Sequence, residues 1–182
     1  IKEYRLNGLI KKWGEKFLHN LRIWDRVSAE RVDEFLTNSE YVQERIKKYY
    51  RKESKIIYPP VDTEKFFISK KEKNYYLAVG RLTTYKKFDL IVEAFNILGW
   101  ELKIVGSGIE EKNLKKYAGK NIEFLGNVDD EALAELYADA KALIFPQCED
   151  FGITPLESMA SGRPVIAYKK GGSLETVKEG MT

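Results

Sequence analysis

From residue 75 onwards, short apolar segments alternate with amphipathic segments in a regular order. The apolar segments have the composition of buried strands, and the amphipathic ones have apolar residues at the three- and four-residue spacing of a helix. The predicted strands are 75–79, 101–105, 122–125, 142–145 and 164–168, and the predicted helices are 88–98, 109–117, 129–138, 154–160 and 173–178. Such an alternation folds as a parallel sheet with right-handed crossovers. The predicted fold class is therefore α/β, with a doubly wound parallel sheet.

The first 60 residues follow a different pattern. A long basic segment over residues 1–32 has apolar residues at helical spacing, which form a stripe that needs a partner. A strand at 34–37, a helix at 40–50 and a strand at 55–58 are predicted after it.

Pro59 and Pro60 mark the clearest linker in the chain. They remove two backbone donors and restrict the preceding residues to extended conformations. We therefore expect residues 1–60 to be the C-terminal remnant of one domain plus the linker, and residues 61–182 to be a second domain. Since the sequence lacks an initiator Met and stops at Thr182, we expect both ends to be truncations.

The charge is divided unevenly along the chain. Residues 1–74 contain 18 Lys and Arg against 12 Asp and Glu, whereas residues 75–182 contain 13 against 16. A membrane surface, a phosphorylated acceptor, a nucleic acid or a solvated basic face each fit the first part, although no nucleic-acid-binding motif is recognisable. The single cysteine, Cys148, excludes an internal disulfide and fits a reducing compartment. A cytoplasmic location is predicted, with peripheral contact to the membrane face as an option.

The loops after the predicted strands carry most of the chemically distinctive residues. These loops are Gly80–Arg81 with Lys86, Gly106–Ser107–Gly108, Gly126–Asn127–Val128, Glu149–Glu157 and Lys169–Gly172. In an open parallel sheet, the carboxyl ends of the strands lie along one edge, and ligands bind outside that edge. The five loops are therefore predicted to converge on one site.

The chemistry of these loops indicates a diphosphate attached to sugars. Glycines such as Gly80 let the backbone approach a ligand closely. Arg81 and Lys86 supply two positive charges, and Glu149 and Glu157 can accept hydrogen bonds from hydroxyl groups. Glycines are also common in turns, and single cations are commonly solvated. Their coincidence in strand-end loops favours a ligand site.

Glu157 has a second interpretation. Thr154 and Glu157 fit a T-x-x-E capping box, with Pro155 at the first helical position. The helix start would also bring backbone N–H groups and a positive dipole end into the loop, which suits an anion. A cap and a ligand-binding role both remain open for Glu157, whereas Glu149 has no capping explanation.

Four motifs together resemble the GT-B, family 4 retaining glycosyltransferases. They are Val79–Leu82 with Lys86, Ile104–Gly108, Phe124–Val128, and Glu149–Glu157, which matches the E-x7-E motif of that family. The amino-acid sequence of residues 57–62 and 85–90 is most similar to that of mannosyltransferases of surface polysaccharide assembly. The resemblance covers residues 34–182 and implies a Rossmann-like donor-binding domain.

The resemblance also implies a role for each matching residue. Catalytic roles fall to Arg81 and Lys86, which would bind the donor diphosphate, and to Glu149, which would hold hydroxyls of the donor sugar. The remaining donor contacts are Gly80, Gly106, Ser107 and Gly108 around the nucleotide, Val128 at the base, Phe151, Gly152, Ile153 and Thr154 at sugar and phosphate, and Glu157 at the ribose.

The implied activity is transfer of a hexose, with retention and without metal or other cofactor. GDP-mannose is the favoured donor, with a UDP-sugar as the other option, and the acceptor is lipid-linked or a polysaccharide. The chain has no D-x-D, and Asp129–Asp130 fits a helix N-cap better than a ligand pair. Because the acceptor side would precede residue 1, we expect this part to bind the donor but not to turn it over.

Two other functional classes are alternatives for this sequence. A nicotinamide-dependent oxidoreductase would need G-x-G-x-x-G after its first strand, and the sequence after Gly106 lacks the third glycine. A non-catalytic nucleotide-sugar-binding or regulatory module stays open, because every named residue belongs to the binding half.

Overall fold

The computed structural model describes residues 8–71 and 73–182, and it begins with two helices and a small parallel sheet. The elements of this first part are α1 (Gly8–Ala29), β1 (Phe35–Thr37), α2 (Glu40–Tyr50) and β2 (Ser54–Ile56). Ser39 caps α2 by accepting a hydrogen bond from the Val42 N–H at 3.1 Å. The predicted helix over residues 1–32 is therefore confirmed over Gly8–Ala29, and residues 1–7 lie outside the described residues.

The second part is a five-stranded sheet with all strands parallel. Its strands are β3 (Tyr75–Val79), β4 (Glu101–Val105), β5 (Ile122–Gly126), β6 (Leu143–Phe145) and β7 (Val165–Ala167), and its helices are α3 (Phe88–Leu98), α4 (Glu111–Tyr117), α5 (Asp130–Asp139), α6 (Ile153–Ala160) and α7 (Ser173–Thr176). The five predicted strand–helix pairs and the doubly wound α/β fold are confirmed.

Side chains cover both faces of this sheet. On one face, Ala78 and Ile104 pack with Phe88 and Val92 of α3 and with Leu114 of α4. On the other face, Leu77, Val105 and Leu143 pack with Tyr137 of α5. Since successive residues of a strand point to opposite faces, Leu77 and Ala78 belong to different cores. Two-sided burial explains why the central strands β3 and β6 are apolar throughout.

The strand order creates a switch point in the middle of the sheet. The order is β5-β4-β3-β6-β7, so the chain moves outward from β3 on one side and then returns to begin the other side at β6. Crossovers on the two sides therefore diverge between β3 and β6 and leave a crevice at the carboxyl ends of these strands. The loops that begin at Gly80 and at Pro146 border this crevice.

Contacts join α2 to the loops of the large sheet. The Glu175 carboxylate accepts hydrogen bonds from the backbone N–H groups of Glu40 at 2.9 Å and Tyr41 at 3.1 Å. Arg45 forms an ion pair with Asp150 at 2.6 Å. Glu175 thus satisfies N–H groups at the start of α2, where a negative charge is also favourable. The domain division at residue 60 stays a prediction.

The apolar stripe of α1 is exposed. The side chains of Trp13, Phe17 and Trp24 are 73%, 66% and 64% accessible. Among the described residues, every helix is too short or too polar to cross a bilayer. That the apolar stripe of α1 packs against a partner stays a prediction.

Lys87 precedes α3 in a left-handed backbone conformation, with φ 59° and ψ 34°. Such a conformation brings Cβ close to the carbonyl oxygen and disfavours every residue except glycine. A glycine at this position would remove the strain.

Replacing Lys87 by glycine should therefore stabilise the protein. We expect Lys87→Gly to raise the free energy of unfolding by about 1 kcal/mol, or Tm by about 2–4 °C for a chain of this size. Circular dichroism melting measures the change. Lys112→Gly, within α4, is the control and should lower Tm, because glycine is unfavourable in a helix. A fall in Tm for both variants would contradict the interpretation.

Candidate active site

Lys86 and Glu149 meet at the switch point between β3 and β6. The Lys86 ammonium forms an ion pair and hydrogen bond with Oε1 of Glu149. Their side chains are only 15% and 23% exposed. Lys86 ends a short 3-10 turn, Thr84–Lys86, and Glu149 lies in the loop after β6. Two residues separated by 63 positions in the chain thus form one charged pair in the crevice.

The pair lines a cavity of about 490 Å³. Six residues predicted for the site lie in its wall: Lys86, Glu149, Phe151, Gly152, Ile153 and Thr154. The structure therefore brings together the diphosphate candidate Lys86, the sugar candidate Glu149 and the start of α6. The other predicted residues do not line this cavity.

Burial changes the electrostatics of Lys86. Desolvation, and after it the positive charge of Arg81, lowers the pKa of the Lys86 ammonium. The Glu149 carboxylate acts in the opposite direction and compensates for part of this cost. Arg81 itself is exposed near the start of the same loop and does not line the cavity. Lys86 is thus a cation whose charge is compensated, whereas Arg81 is a solvated cation.

The start of α6 differs from the capping-box prediction, which is wrong. The helix begins at Ile153, and its N-cap is Gly152, with φ 89° and ψ 86°. Thr154 is therefore the second helical residue and Pro155 the third, so Thr154 cannot act as the N-cap. Glycine allows the left-handed turn that brings the chain into the helix earlier than predicted. The N–H groups of Ile153 and Thr154 belong to the first helical turn, which has no acceptor within the helix.

Glu157 instead contacts Tyr137. Tyr137 Oη donates a hydrogen bond to Glu157 Oε2 at 2.7 Å. Burial first, and then the charge of Glu157, raises the pKa of Tyr137 well above its ordinary value. A hydrogen bond with Thr154 acts against this shift. The carboxylate of Glu157 is thus held by a neutral phenol, which leaves its charge without a cationic partner in this contact.

Glu157 lines a second cavity of about 260 Å³. Pro60, Asp62 and Lys65 of the linker region also line it, and Ile153 lines both cavities. The two glutamates of the E-x7-E motif therefore line two cavities that share Ile153, the first residue of α6.

The glycines after β4 have a packing role in this structure. A Cβ on Gly106 would lie 2.1 Å from the Gly80 carbonyl oxygen, and one on Gly108 would lie 2.3 Å from that of Leu82. Leu82 N–H also donates to the Ser107 carbonyl at 2.9 Å. Close backbone contact thus holds the loop after β3, which contains Lys86, against the loop after β4.

The loop after β7 supports Glu149 in a similar way. Gly172 N–H donates to the Glu149 carbonyl at 2.9 Å, and a Cβ on Gly171 would lie 2.4 Å from that same oxygen. Cys148 lines the cavity, and its thiol contacts Tyr41 Oη at 3.7 Å. Val128 packs against the core beside α5.

Five further residues of the cavity wall were not among the predicted site residues: Asn38, Pro59, Tyr85, Cys148 and Asp150. Pro59 was predicted only as part of the linker and Asn38 only precedes the predicted helix at 40–50, so nothing local indicated that they would line a cavity with Glu149. Tyr85 lies directly before Lys86, whose ammonium is 5.6 Å from the centre of its ring. In the sequence, only its position next to Lys86, a predicted diphosphate-binding residue, indicated that Tyr85 could lie at the site.

The predicted N-cap at Asp129 is confirmed. Its side chain accepts a hydrogen bond from the Ala132 N–H at 2.8 Å. Within residues 8–71 and 73–182, no group of three or more His, Cys, Asp or Glu side chains is arranged to hold a metal ion. His19, the single histidine, is exposed on α1.

The Lys86–Glu149 pair should be energetically coupled. Lys86→Met and Glu149→Gln each leave a largely buried group without its partner, so each should destabilise the fold. The double variant should lose less free energy of unfolding than the two single variants lose together. We expect a coupling energy of about 1–3 kcal/mol. Urea unfolding of the four proteins measures this cycle.

The exposed pair Lys169–Glu179, at 2.8 Å and 76% and 86% exposed, is the matched control. Solvent screening should limit its coupling to below about 1 kcal/mol. Equal coupling energies for the two pairs would show that Lys86 and Glu149 do not form a protected contact.

Comparison with known proteins places this chain in a family. The chain is 28% identical to the D-rhamnosyltransferase WbpZ of Pseudomonas aeruginosa, covering 94% of this chain and 47% of that protein. It is 30% identical to the O-antigen chain mannosyltransferase RfbU of Salmonella typhimurium, covering 78% and 43%. The chain thus spans about half the length of these curated relatives.

Solved structures share the fold. The crystal structure of Anabaena HepE in complex with UDP and glucose aligns with a TM-score of 0.77 at 21% identity, covering 89% of this chain and 51% of that one. The family profile described as "Glycosyl transferases group 1" matches residues 61–182, which is the larger part of the chain. The chain therefore belongs to the group 1 glycosyltransferases and has the Rossmann-like fold of the GT-B enzymes.

Proposed function

We propose that the chain forms the donor-binding part of a retaining, family 4 mannosyltransferase. The donor is GDP-mannose, and the acceptor is a lipid-linked glycan or a polysaccharide. The observation that carries this proposal is the Lys86–Glu149 pair at the switch point, beside the start of α6. A cation, a carboxylate and a helix N-terminus in one crevice suit the phosphate and the sugar of one nucleotide sugar.

Lys86 can serve the pair and a phosphate together. Its ammonium has three N–H donors, and one of them is directed to Glu149. The others remain for oxygens of the donor diphosphate, to which Arg81 adds a second positive charge. Glu149, fixed by Lys86, then accepts hydrogen bonds from hydroxyls of the sugar.

The proposed reaction makes the diphosphate the leaving group. The bond between C1 of mannose and the diphosphate oxygen breaks, and C1 bonds to the acceptor oxygen on the same face while the acceptor hydroxyl passes its proton to the leaving diphosphate oxygen. Negative charge grows on the diphosphate in this step. Arg81, Lys86 and the N–H groups of Ile153 and Thr154 stabilise that charge, which is how preorganised donors lower a barrier.

The choice of mannose rests on the relatives. RfbU is named as a mannosyltransferase, and residues 57–62 and 85–90 of this chain fit the same class. Glu157 is proposed to bind the ribose, because it lines a cavity that shares Ile153 with the cavity of Glu149 and its carboxylate is held by the neutral Tyr137. Val128 remains the proposed backbone contact for the base.

Removing either cation should weaken binding of the diphosphate. Charge-assisted hydrogen bonds contribute about 1.5–3 kcal/mol, so Arg81→Ala and Lys86→Ala should each lower the affinity for GDP by at least about tenfold. Calorimetric titration with GDP measures the change. Lys120→Ala, which removes an exposed lysine before β5 at the opposite edge of the sheet, should bind as the wild type does. Unchanged affinity in both site variants would refute the phosphate assignment.

Donor binding is proposed to need no metal ion, because Arg81, Lys86 and the start of α6 supply the positive charge. Titration of GDP-mannose with EDTA present should therefore give the same affinity as titration with added Mg²⁺. A loss of binding in EDTA that Mg²⁺ restores would contradict this part of the proposal.

A further inference from the structure

Asn38 belongs to the first part of the chain but lines the cavity of Lys86 and Glu149. It lies between the end of β1 and the start of α2 and is half-buried. Pro59 of the linker lines the same cavity. The wall opposite the large sheet is therefore built by residues from outside the matched region 61–182.

Buried hydrogen bonds fix the backbone on both sides of Asn38. Thr37 Oγ1 donates to the Ser39 carbonyl at 2.8 Å and accepts from the Ser39 N–H at 3.1 Å. Thr37 and Ser39 are 6% and 0% exposed. Ser39 Oγ also accepts from Val42 at the start of α2. Because its two neighbours are buried and bonded, Asn38 has a defined backbone position.

Glu175 fixes this segment relative to the large sheet. Its carboxylate accepts from the N–H groups of Glu40 and Tyr41, which follow Asn38 directly. Glu175 lies in α7, next to the Gly171–Gly172 turn that supports the Glu149 carbonyl. The same turn-and-helix unit thus positions both Asn38 and Glu149.

The side chain of Asn38 is suited to a sugar hydroxyl. Its Oδ1 accepts from Ser39 Oγ at 3.3 Å, and its amide offers two N–H donors in addition. Beside Glu149, which can only accept, Asn38 adds the donors that hydroxyl oxygens need. We propose that Asn38 binds a hydroxyl group of the donor sugar in this cavity, and that Glu175 is the residue that positions it. This inference rests on the proposed function of the cavity.

Calorimetry with two probes isolates a sugar contact. GDP carries the base, ribose and diphosphate, whereas GDP-mannose adds the hexose. Asn38→Ala should weaken GDP-mannose by about 3- to 10-fold, the value of one neutral hydrogen bond, and should leave GDP unchanged. Asn113→Ala, an exposed substitution on α4, is the control and should change neither affinity.

Asn38→Leu and Glu175→Ala extend the test. Asn38→Leu keeps the approximate size of the side chain and its neutral charge but removes its hydrogen-bonding groups, so it should show the same selective loss even if the alanine variant is unstable. Glu175→Ala should also weaken GDP-mannose more than GDP, whereas Glu175→Gln, which keeps one acceptor oxygen, should recover part of the loss.

The outcomes distinguish a failure of the Asn38 contact from a failure of the proposed function. If the wild type binds GDP-mannose and both Asn38 variants bind it equally well, the sugar contact is refuted while the function stands. Equal losses for GDP and GDP-mannose would also refute it, because they would indicate a general disturbance of the site. A wild type that binds neither GDP-mannose, UDP-glucose nor GDP would overturn the proposed function and the inference with it.

Discussion

The strand order β5-β4-β3-β6-β7 is the constraint on which the candidate site depends. The sheet grows from its centre in both directions, so the loops after β3 and β6 are neighbours in space although they are far apart in sequence. Lys86 and Glu149 come from these two loops, and their ion pair is largely protected from solvent. Any rearrangement that moved β6 away from β3 would leave two charges unpaired in the crevice.

Close backbone packing keeps the two loops in place. Gly106 and Gly108 allow the loop after β4 to contact the loop of Lys86, and Gly171 and Gly172 allow the loop after β7 to contact Glu149 and Phe151. These glycines act through the loops that they support. A loop can therefore support the site without lining it. A glycine in a strand-end motif can accordingly serve loop packing and not contact with the ligand.

The first part of the chain contributes to the site as well as preceding it. The Glu175 carboxylate joins the start of α2 to α7, and Asn38 lies directly before that helix. In a protein whose ligand binds between two structural parts, a contact such as that of Glu175 with α2 would set the distance between the two walls of the binding cavity. The Arg45–Asp150 ion pair lies at the same boundary, but both side chains are about half exposed, so its contribution to stability is small.

The sequence alone determined the strand–helix alternation, the parallel sheet and the edge on which the loops meet, because these follow from periodicity and from the geometry of crossovers. It also predicted that Lys86, Glu149 and residues 151–154 lie together, and these residues line one cavity. Only the tertiary structure decided that Thr154 is not an N-cap, that Glu157 contacts Tyr137, and that Asn38 reaches the cavity. A helix start depends on one left-handed turn at Gly152, and the other two contacts join residues distant in sequence. A local sequence pattern contains neither the exact start of a helix nor a contact between distant residues.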